Sequence, residues 1–206
     1  MTTESEELRT ESKVVVFFDI CSSSSIIEDL KSTDNLCSMR DLLISLKEFL
    51  VGSQTHAGFK AYKFLGDGWI LLFPDDVSGD LLLRFLESLC KFFRHKFRSV
   101  ERRLQVKPSI IGLTFGIDKG ALVRIRMMGQ TEYVGRPLNV ASRLQAAIKD
   151  RDDHPAYKCL LSRHAYLDLS LSRELKHKLR RKHVRRTMRN IQGGQSYRCV
   201  KLTLLY

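Results

Sequence analysis

Long apolar runs are missing from this sequence. No stretch approaches the roughly 20 residues that a bilayer-spanning helix needs, so the pattern predicts no transmembrane segment. Cysteine is sparse and unpaired. Cys21, Cys37, Cys90, Cys159 and Cys199 form an odd, scattered set without a Cys-x-x-Cys pair. That argues against a disulfide framework and against a zinc site, and for buried, inert thiols in a reducing compartment. There are no repeats and no linker rich in proline, glycine or serine. Acidic excess is absent too: 35 basic residues face 23 acidic ones, for a net charge of +12. The start, Thr2-Thr3-Glu4-Ser5-Glu6-Glu7, is polar and acidic and reads as neither a signal nor a transit peptide. These absences together predict a cytoplasmic protein.

What is present suffices for one core. The chain has 206 residues, 43% of them hydrophobic, enough for a single well-cored domain and hardly for two. We expect a disordered leader over 1–12 and one domain over 13–206. The basic charge is concentrated between Arg173 and Arg189, where Glu174 is the single acid. Leu171, Leu175 and Leu179 at i, i+4 spacing predict an amphipathic basic helix near 171–189. Its charged face suits an anionic partner, so contact with nucleic acid or an acidic membrane surface stays open beside plain solvation.

The apolar run Val14–Phe18 reads as a buried strand ending at Asp19 and Ile20. Ser22 to Ser25 are turn and helix-start residues. Leu42, Leu43, Leu46, Phe49 and Leu50 recur at helical spacing, and Leu81–Phe97 is a second amphipathic helix. Gly58–Phe73 reads as a hairpin turned at Gly66-Asp67-Gly68. A further strand pair is expected over Ser109–Ile117 and Ala121–Arg126, turned at Asp118-Lys119-Gly120. Gly135-Arg136-Pro137 opens a helix, with proline where its missing N–H costs nothing, and Tyr197–Leu205 closes the chain as a strand. The order predicts an α+β fold, a mostly antiparallel sheet with helices on one face.

Two aspartates, Asp19 at a strand end and Asp67 at a hairpin tip, converge if their strands are neighbours. Such a carboxylate pair needs a cation between its members, and Mg²⁺, a hard ion held by carboxylates and substrate phosphates, suits it. The helix after Gly135 carries the most specific signal. Asn139 and Arg143, four apart, project together, while Leu138, Ala141 and Leu144 share an inward face. An amide and a guanidinium aimed at one spot suit an anionic, oxygen-rich ligand.

With these three blocks in order, the sequence resembles the class III nucleotidyl cyclases, the family of adenylate and guanylate cyclase catalytic domains. Phe17-Phe18-Asp19-Ile20 resembles the first metal block and Lys63-Phe64-Leu65-Gly66-Asp67-Gly68 the Lys-x-x-Gly-Asp block. Gly116-Ile117-Asp118-Lys119-Gly120 with Gly135-x-x-x-Asn139-x-x-x-Arg143 resembles the third. The resemblance implies the ferredoxin-like cyclase fold and two metal ions per site, Mg²⁺ or Mn²⁺, held by Asp19, Asp67 and the backbone carbonyl of Ile20. It implies that a nucleoside triphosphate is cyclised by in-line attack of its 3′-hydroxyl on the α-phosphate, with pyrophosphate leaving. Asn139 would orient the ribose and Arg143 would stabilise charge on the transferring phosphoryl. The family places metal aspartates and the Asn/Arg pair on different subunits, so a homodimer with two equivalent sites is expected. Lys63 and Asp67 would then serve different sites, and a lone subunit would be inactive.

Base choice in the family rests on positions matching Lys63 and Glu132. Lysine is the adenylate-type choice; Glu132 stands where Asp or Thr is usual, one methylene longer. The pair disfavours guanine and does not choose among adenine, uracil and cytosine. Two departures stand out. Ser22-Ser23-Ser24 replaces a common Gly-Phe-Thr, and no lysine precedes Gly193-Gly194, which leaves Arg185, Arg186 or Arg189 to supply that charge. In overall character the chain is similar to the pyrimidine cyclases of bacterial anti-phage signalling, which make cyclic UMP or cyclic CMP for a separate downstream effector. That likeness favours UTP, then CTP, over ATP. An adenylate cyclase, or a cyclase-like module that binds nucleotide without catalysis, are the alternatives. Trp69 is expected to pack in its strand, and Phe92, Phe93 and Phe97 to belong to a helix core.

Overall fold

The computed structural model describes residues 9–149, 154–191 and 193–205. In chain order the elements are β1 (Arg9–Ile20), α1 (Ser23–Ser32), α2 (Leu36–Ala57), β2 (Lys60–Phe64), β3 (Gly68–Pro74), α3 (Gly79–Glu101), β4 (Leu113–Met127) and β5 (Gln130–Val134). They continue with α4 (Arg136–Lys149), β6 (Lys158–Ser162), α5 (Arg163–Asp168), α6 (Arg173–Lys178), β7 (Arg180–Arg186), a short 3₁₀ turn (Gly194–Ser196) and β8 (Tyr197–Thr203). The strands form one sheet in the order β2-β3-β1-β4-β6-β8-β7, with β5 paired to β4 off that path. Among the described residues only β4 and β6 pair in parallel, and the other ladders are antiparallel. This is the expected mixed α+β architecture.

β1 is buried on both faces because its β-branched run sits at the centre of the sheet, between β3 and β4. Val14, Val16, Phe18 and Ile20 point to one side, into a core built with Leu30 of α1, Leu46 and Leu50 of α2, and Leu86 and Phe93 of α3. Val15 points to the other side and joins Ile70, Leu72 and Leu122 beneath Ala141 of α4. Helices therefore cover both faces rather than one. The reason is local: Val140, Ala141, Leu144 and Ile148 are all fully or nearly fully buried, so α4 has its own apolar stripe and needs its own side of the sheet. Trp69 is buried and stacks on Phe18 at 5.4 Å, and Phe93 and Phe97 lie in the core.

Three further expectations are corrected. Residues 1–8 of the expected leader lie outside the described residues, but Arg9–Ser12 are strand, paired with Arg124–Ala121 of β4. There Glu11 bridges Lys13 at 3.2 Å and Arg124 of β4 at 3.4 Å. No turn occurs at Asp118-Lys119-Gly120; β4 runs straight through. Its polar residues are paired instead of exposed: buried Asp118 accepts a hydrogen bond from Ser162 Oγ at 2.5 Å, and Lys119 meets Asp75 at 3.1 Å. The chain reverses later, at Met128 and Gly129, whose φ values of 50° and 78° suit a two-residue hairpin.

The third correction concerns the basic run. It is not one helix near 171–189 but the short α6 followed by β7, whose seven residues pair with β8. Leu171, Leu175 and Leu179 do pack on the core as their spacing requires. Leu179 then turns extended, and β8 gains the partner its backbone needs. Arginines and lysines on the outermost strand blunt a sheet edge against pairing with another chain. Cys21, Cys90, Cys159 and Cys199 are buried, whereas Cys37 is exposed. Burial pushes the thiols of Cys90 and Cys159 far above the ordinary range and that of Cys199 up to about 12, so these stay protonated. Among the described residues, no helix is long and apolar enough to cross a membrane.

Candidate active site

Strand pairing brings the two aspartates together. Asp19 lies directly across the β1–β3 ladder from Gly68, the residue after Asp67. The backbone N–H of Ile20 donates to the Asp67 carbonyl at 3.2 Å, which ties the hairpin tip to the end of β1. Nothing larger than glycine fits at position 68, since a Cβ there would stand 2.0 Å from the Phe18 carbonyl oxygen. Both aspartates are half-buried.

Each carboxylate is held by a side chain that reading the sequence missed. Ser23 Oγ, buried at the start of α1, donates to Asp67 Oδ2. Gln145 Nε2 donates to Asp19 Oδ2 at 3.3 Å and to Thr114 Oγ1 at 2.8 Å. Ser22, between β1 and α1, takes a left-handed conformation with φ 57° and donates from Oγ to the Ile110 carbonyl at 2.9 Å. That conformation is the one glycine adopts without cost, which accounts for a serine here needing its own hydrogen bond. The signal for Gln145 was available in principle: it follows Arg143 by two residues on the helix already singled out.

Among the described residues no cluster of three or more His, Cys, Asp or Glu could hold a metal. The donors that the family resemblance implies, two carboxylates and the Ile20 carbonyl, are all hard oxygens. That set fits Mg²⁺ or Mn²⁺, which take one or two carboxylates and complete their shell from water and substrate phosphate.

Asn139 and Arg143 are exposed on α4 and line a cavity of about 320 Å³ with Ser142, Asn190 and Ile191. Neither Asp19 nor Asp67 lines that cavity. Gln145, two residues past Arg143, points about 200° around the helix from it, and it is Gln145 that faces Asp19. The helix thus stands between the two halves of the expected site. The segment after β7 comes close, through Asn190 and Ile191, but Arg185, Arg186 and Arg189 do not line this cavity.

Lys63 and Glu132 are brought together. Lys63 Nζ lies 3.3 Å from Glu132 Oε2 and 3.4 Å from Oε1. Tyr62 joins them, donating from its hydroxyl to Glu132 Oε2 and accepting from the Tyr133 N–H at 2.9 Å. Burial, then the Glu132 carboxylate, pushes the Tyr62 phenol up to about 12. The Tyr62 and Lys63 hydrogen bonds hold the Glu132 carboxyl below its ordinary range. Tyr62 and Tyr133 pack edge to face at 5.3 Å.

No protein-family model and no curated protein matches the chain. Solved structures do. A bacterial light-regulated adenylyl cyclase superposes with a TM-score of 0.69 at 14% identity, covering 99% of this chain and 55% of that one. The adenylyl cyclase CyaB from P. aeruginosa gives 0.69 at 18% identity, covering 95% and 96%. The guanylyl cyclase Cya2 gives 0.68 at 16%, covering 95% and 93%. The chain therefore spans little more than half of the light-regulated enzyme and nearly all of the other two. It has the fold of the adenylyl and guanylyl cyclase catalytic domains.

Proposed function

We propose that this chain is a class III nucleotidyl cyclase, converting a nucleoside triphosphate to a 3′,5′-cyclic nucleotide and pyrophosphate at two equivalent sites between two copies of itself. The observation that carries this reading is the division of labour across α4. Asp19 and Asp67 lie at neighbouring strand ends, joined by the Ile20 N–H to Asp67 carbonyl bond, while α4 turns Gln145 to Asp19 and leaves Asn139 and Arg143 exposed. Each half is chemically incomplete alone, and a second copy supplies what the first lacks. Exposed apolar side chains support such a contact: Phe64 and Leu65 beside the hairpin tip, and Met127, Met128 and Val134 on the β4–β5 hairpin.

Asp19, Asp67 and the Ile20 carbonyl would hold Mg²⁺ or Mn²⁺, which when bound acidifies the ribose 3′-hydroxyl and neutralises the triphosphate. Ser23 and Gln145 keep the two carboxylates aimed. From the second copy, Asn139 orients the ribose and Arg143 meets the charge that develops on the α-phosphoryl as pyrophosphate departs. Lys63 donates to the base and Glu132 accepts from it.

The base is read as a pyrimidine, uracil ahead of cytosine. Support comes from Glu132 itself, one methylene longer than aspartate and tied to both Tyr62 and Lys63. The cyclic pyrimidine product would serve as a second messenger for a separate effector, as in the anti-phage systems the sequence resembles. Purified protein incubated with ATP, GTP, CTP and UTP together, in Mg²⁺ and in Mn²⁺, tests the reading by mass spectrometry of the products. A cyclic monophosphate from the wild type and none from Asp67→Asn is the expected result. No cyclic product in either metal would defeat it.

A further inference from the structure

Tyr62 has no cross-strand partner. The β2–β3 ladder pairs Ala61 with Leu71 and then Lys63 with Ile70, so Tyr62 is the extra residue of a β-bulge. Neighbouring side chains on a regular strand point to opposite faces. Here Tyr62 and Lys63 both reach the same carboxylate, that of Glu132 on β5. The bulge is what re-aims one of them, a use bulges often have beside binding sites.

The phenol is itself firmly placed. Its oxygen accepts the Tyr133 N–H at 2.9 Å, its ring packs on Tyr133 at 5.3 Å, and Lys60 Nζ lies 5.9 and 5.7 Å from the two ring centroids. The ring also joins the apolar cluster of Ile70, Leu72 and Leu122. Tyr62 and Lys63 both bind Glu132 Oε2, whereas Oε1 receives only the longer 3.4 Å contact from Lys63. An acceptor and a donor thus stand side by side at a fixed depth.

We infer that Tyr62 is a specificity-determining residue of the cyclase site, tethering Glu132 so that Oε1 and the Lys63 ammonium read a base edge at the depth of a pyrimidine. Uracil offers N3–H beside O4, and cytosine N4–H beside N3; either matches one acceptor next to one donor. Adenine offers N6–H beside N1, the same pair, but on a ring set further from the ribose by the width of the imidazole. Depth therefore separates the two classes, and depth is what the tether fixes. An untethered glutamate, with three rotatable bonds, would follow either base.

This inference rests on the cyclase reading. Its test uses the full chain, with Tyr62→Phe, which keeps the ring and its packing and removes only the hydroxyl. Dissociation constants for the 3′-deoxy triphosphates of uridine, cytidine, adenosine and guanosine, which bind but cannot cyclise, are measured for wild type and variant by calorimetry. The expected result is a wild-type preference for pyrimidines that falls about tenfold in Tyr62→Phe, the scale of one hydrogen bond to a charged group. Glu132→Asp, too short for the tether, should lower the same ratio. A merely structural defect weakens all four ligands alike and leaves the ratio unmoved. A wild-type preference unchanged in both variants would overturn the role of Tyr62 and leave the cyclase reading standing. Failure of the wild type to bind any of the four would take both down.

Discussion

Gln145 donates to Asp19 at 3.3 Å while also holding the Thr114 hydroxyl at 2.8 Å. One helix thereby fixes the Asp19 carboxylate, proposed above to hold metal, with Gln145 and leaves Arg143 exposed. Partners that orient metal ligands are commonly worth about 10–100-fold in metal affinity or activity. We predict that Gln145→Ala lowers cyclase turnover by about that range. It should also raise the Mn²⁺ concentration needed for half-maximal activity. A titration of metal at saturating nucleotide checks both, and an unchanged metal dependence would show that Asp19 needs no such support.

That contact exists because α4 lies close on β4. A Cβ on Gly116 would stand 2.0 Å from the Ala141 carbonyl oxygen and 2.4 Å from the Gln145 nitrogen. Neither is a flexible group that could move aside. Gly116→Ala must lift the helix, at a cost of about 1–3 kcal/mol or more for overpacking, or roughly 3–10 °C in melting temperature for a chain of this size. The same substitution at Gly52, inside α2 with open space around its Cβ position, should raise stability by about 0.5–1 kcal/mol. Thermal melts of the two variants side by side separate a steric effect from a general one.

Periodicity and punctuation made β1, α2, the β2–β3 hairpin, α3 and α4 readable, the elements that carry Asp19, Ile20, Lys63, Asp67, Asn139 and Arg143; Glu132, on β5, entered through the family resemblance alone. What they could not reveal are features decided by distant partners. Asp118-Lys119-Gly120 has turn composition, yet Ser162 holds Asp118 Oδ1, Asp75 pairs with Lys119 and β1 runs alongside, so the segment stays strand. Arg180–Arg186 carries little but charge, and only the open edge of β8 makes it a strand. Ser23 and Gln145 were legible as residue types but not as partners, because hydrogen bonds spanning 44 and 126 positions leave no local pattern. Tyr62 escaped for a different reason: a bulge shifts the face of a side chain without changing any residue's propensity.

His164 gives stability a pH dependence. Its Nε2 lies 3.0 Å from Asp118 Oδ1 and 2.9 Å from the Lys119 carbonyl oxygen, and the Asp118 hydrogen bond raises the imidazole above its ordinary range against the opposing effect of burial. A raised folded-state pKa means that the contribution is complete below the unfolded value, near 6.5, and is lost as pH rises through the folded one. Asp118 is fully buried and its Oδ2 has no hydrogen-bond partner, so the loss leaves its carboxylate poorly compensated. We predict that the melting temperature falls between pH 6 and pH 9 in the wild type. The slope should flatten in His164→Asn, which keeps a donor but cannot titrate. Equal slopes in the two proteins would assign the pH dependence elsewhere.

The division of the site across two copies makes a sharper prediction than loss of activity in any single variant. Asp67→Asn removes a carboxylate from one half of each site, and Arg143→Ala removes the guanidinium from the other. In a two-fold dimer each homodimeric variant has both of its sites broken. Mixed and allowed to exchange, half of the dimers carry one subunit of each kind. In those, one site collects both lesions and the other collects neither. About a quarter of wild-type activity should therefore return from two inactive proteins, given half of the dimers with one good site of two. The recovered product should carry the same base as the wild type, because Lys63 and Glu132 are unaltered in both variants. Recovery that tracks subunit exchange, followed by native mass spectrometry, would place the aspartates and the Asn/Arg pair on different copies. Two variants that stay inactive through complete exchange would place them on one copy, and α4 would then have to reorient for catalysis.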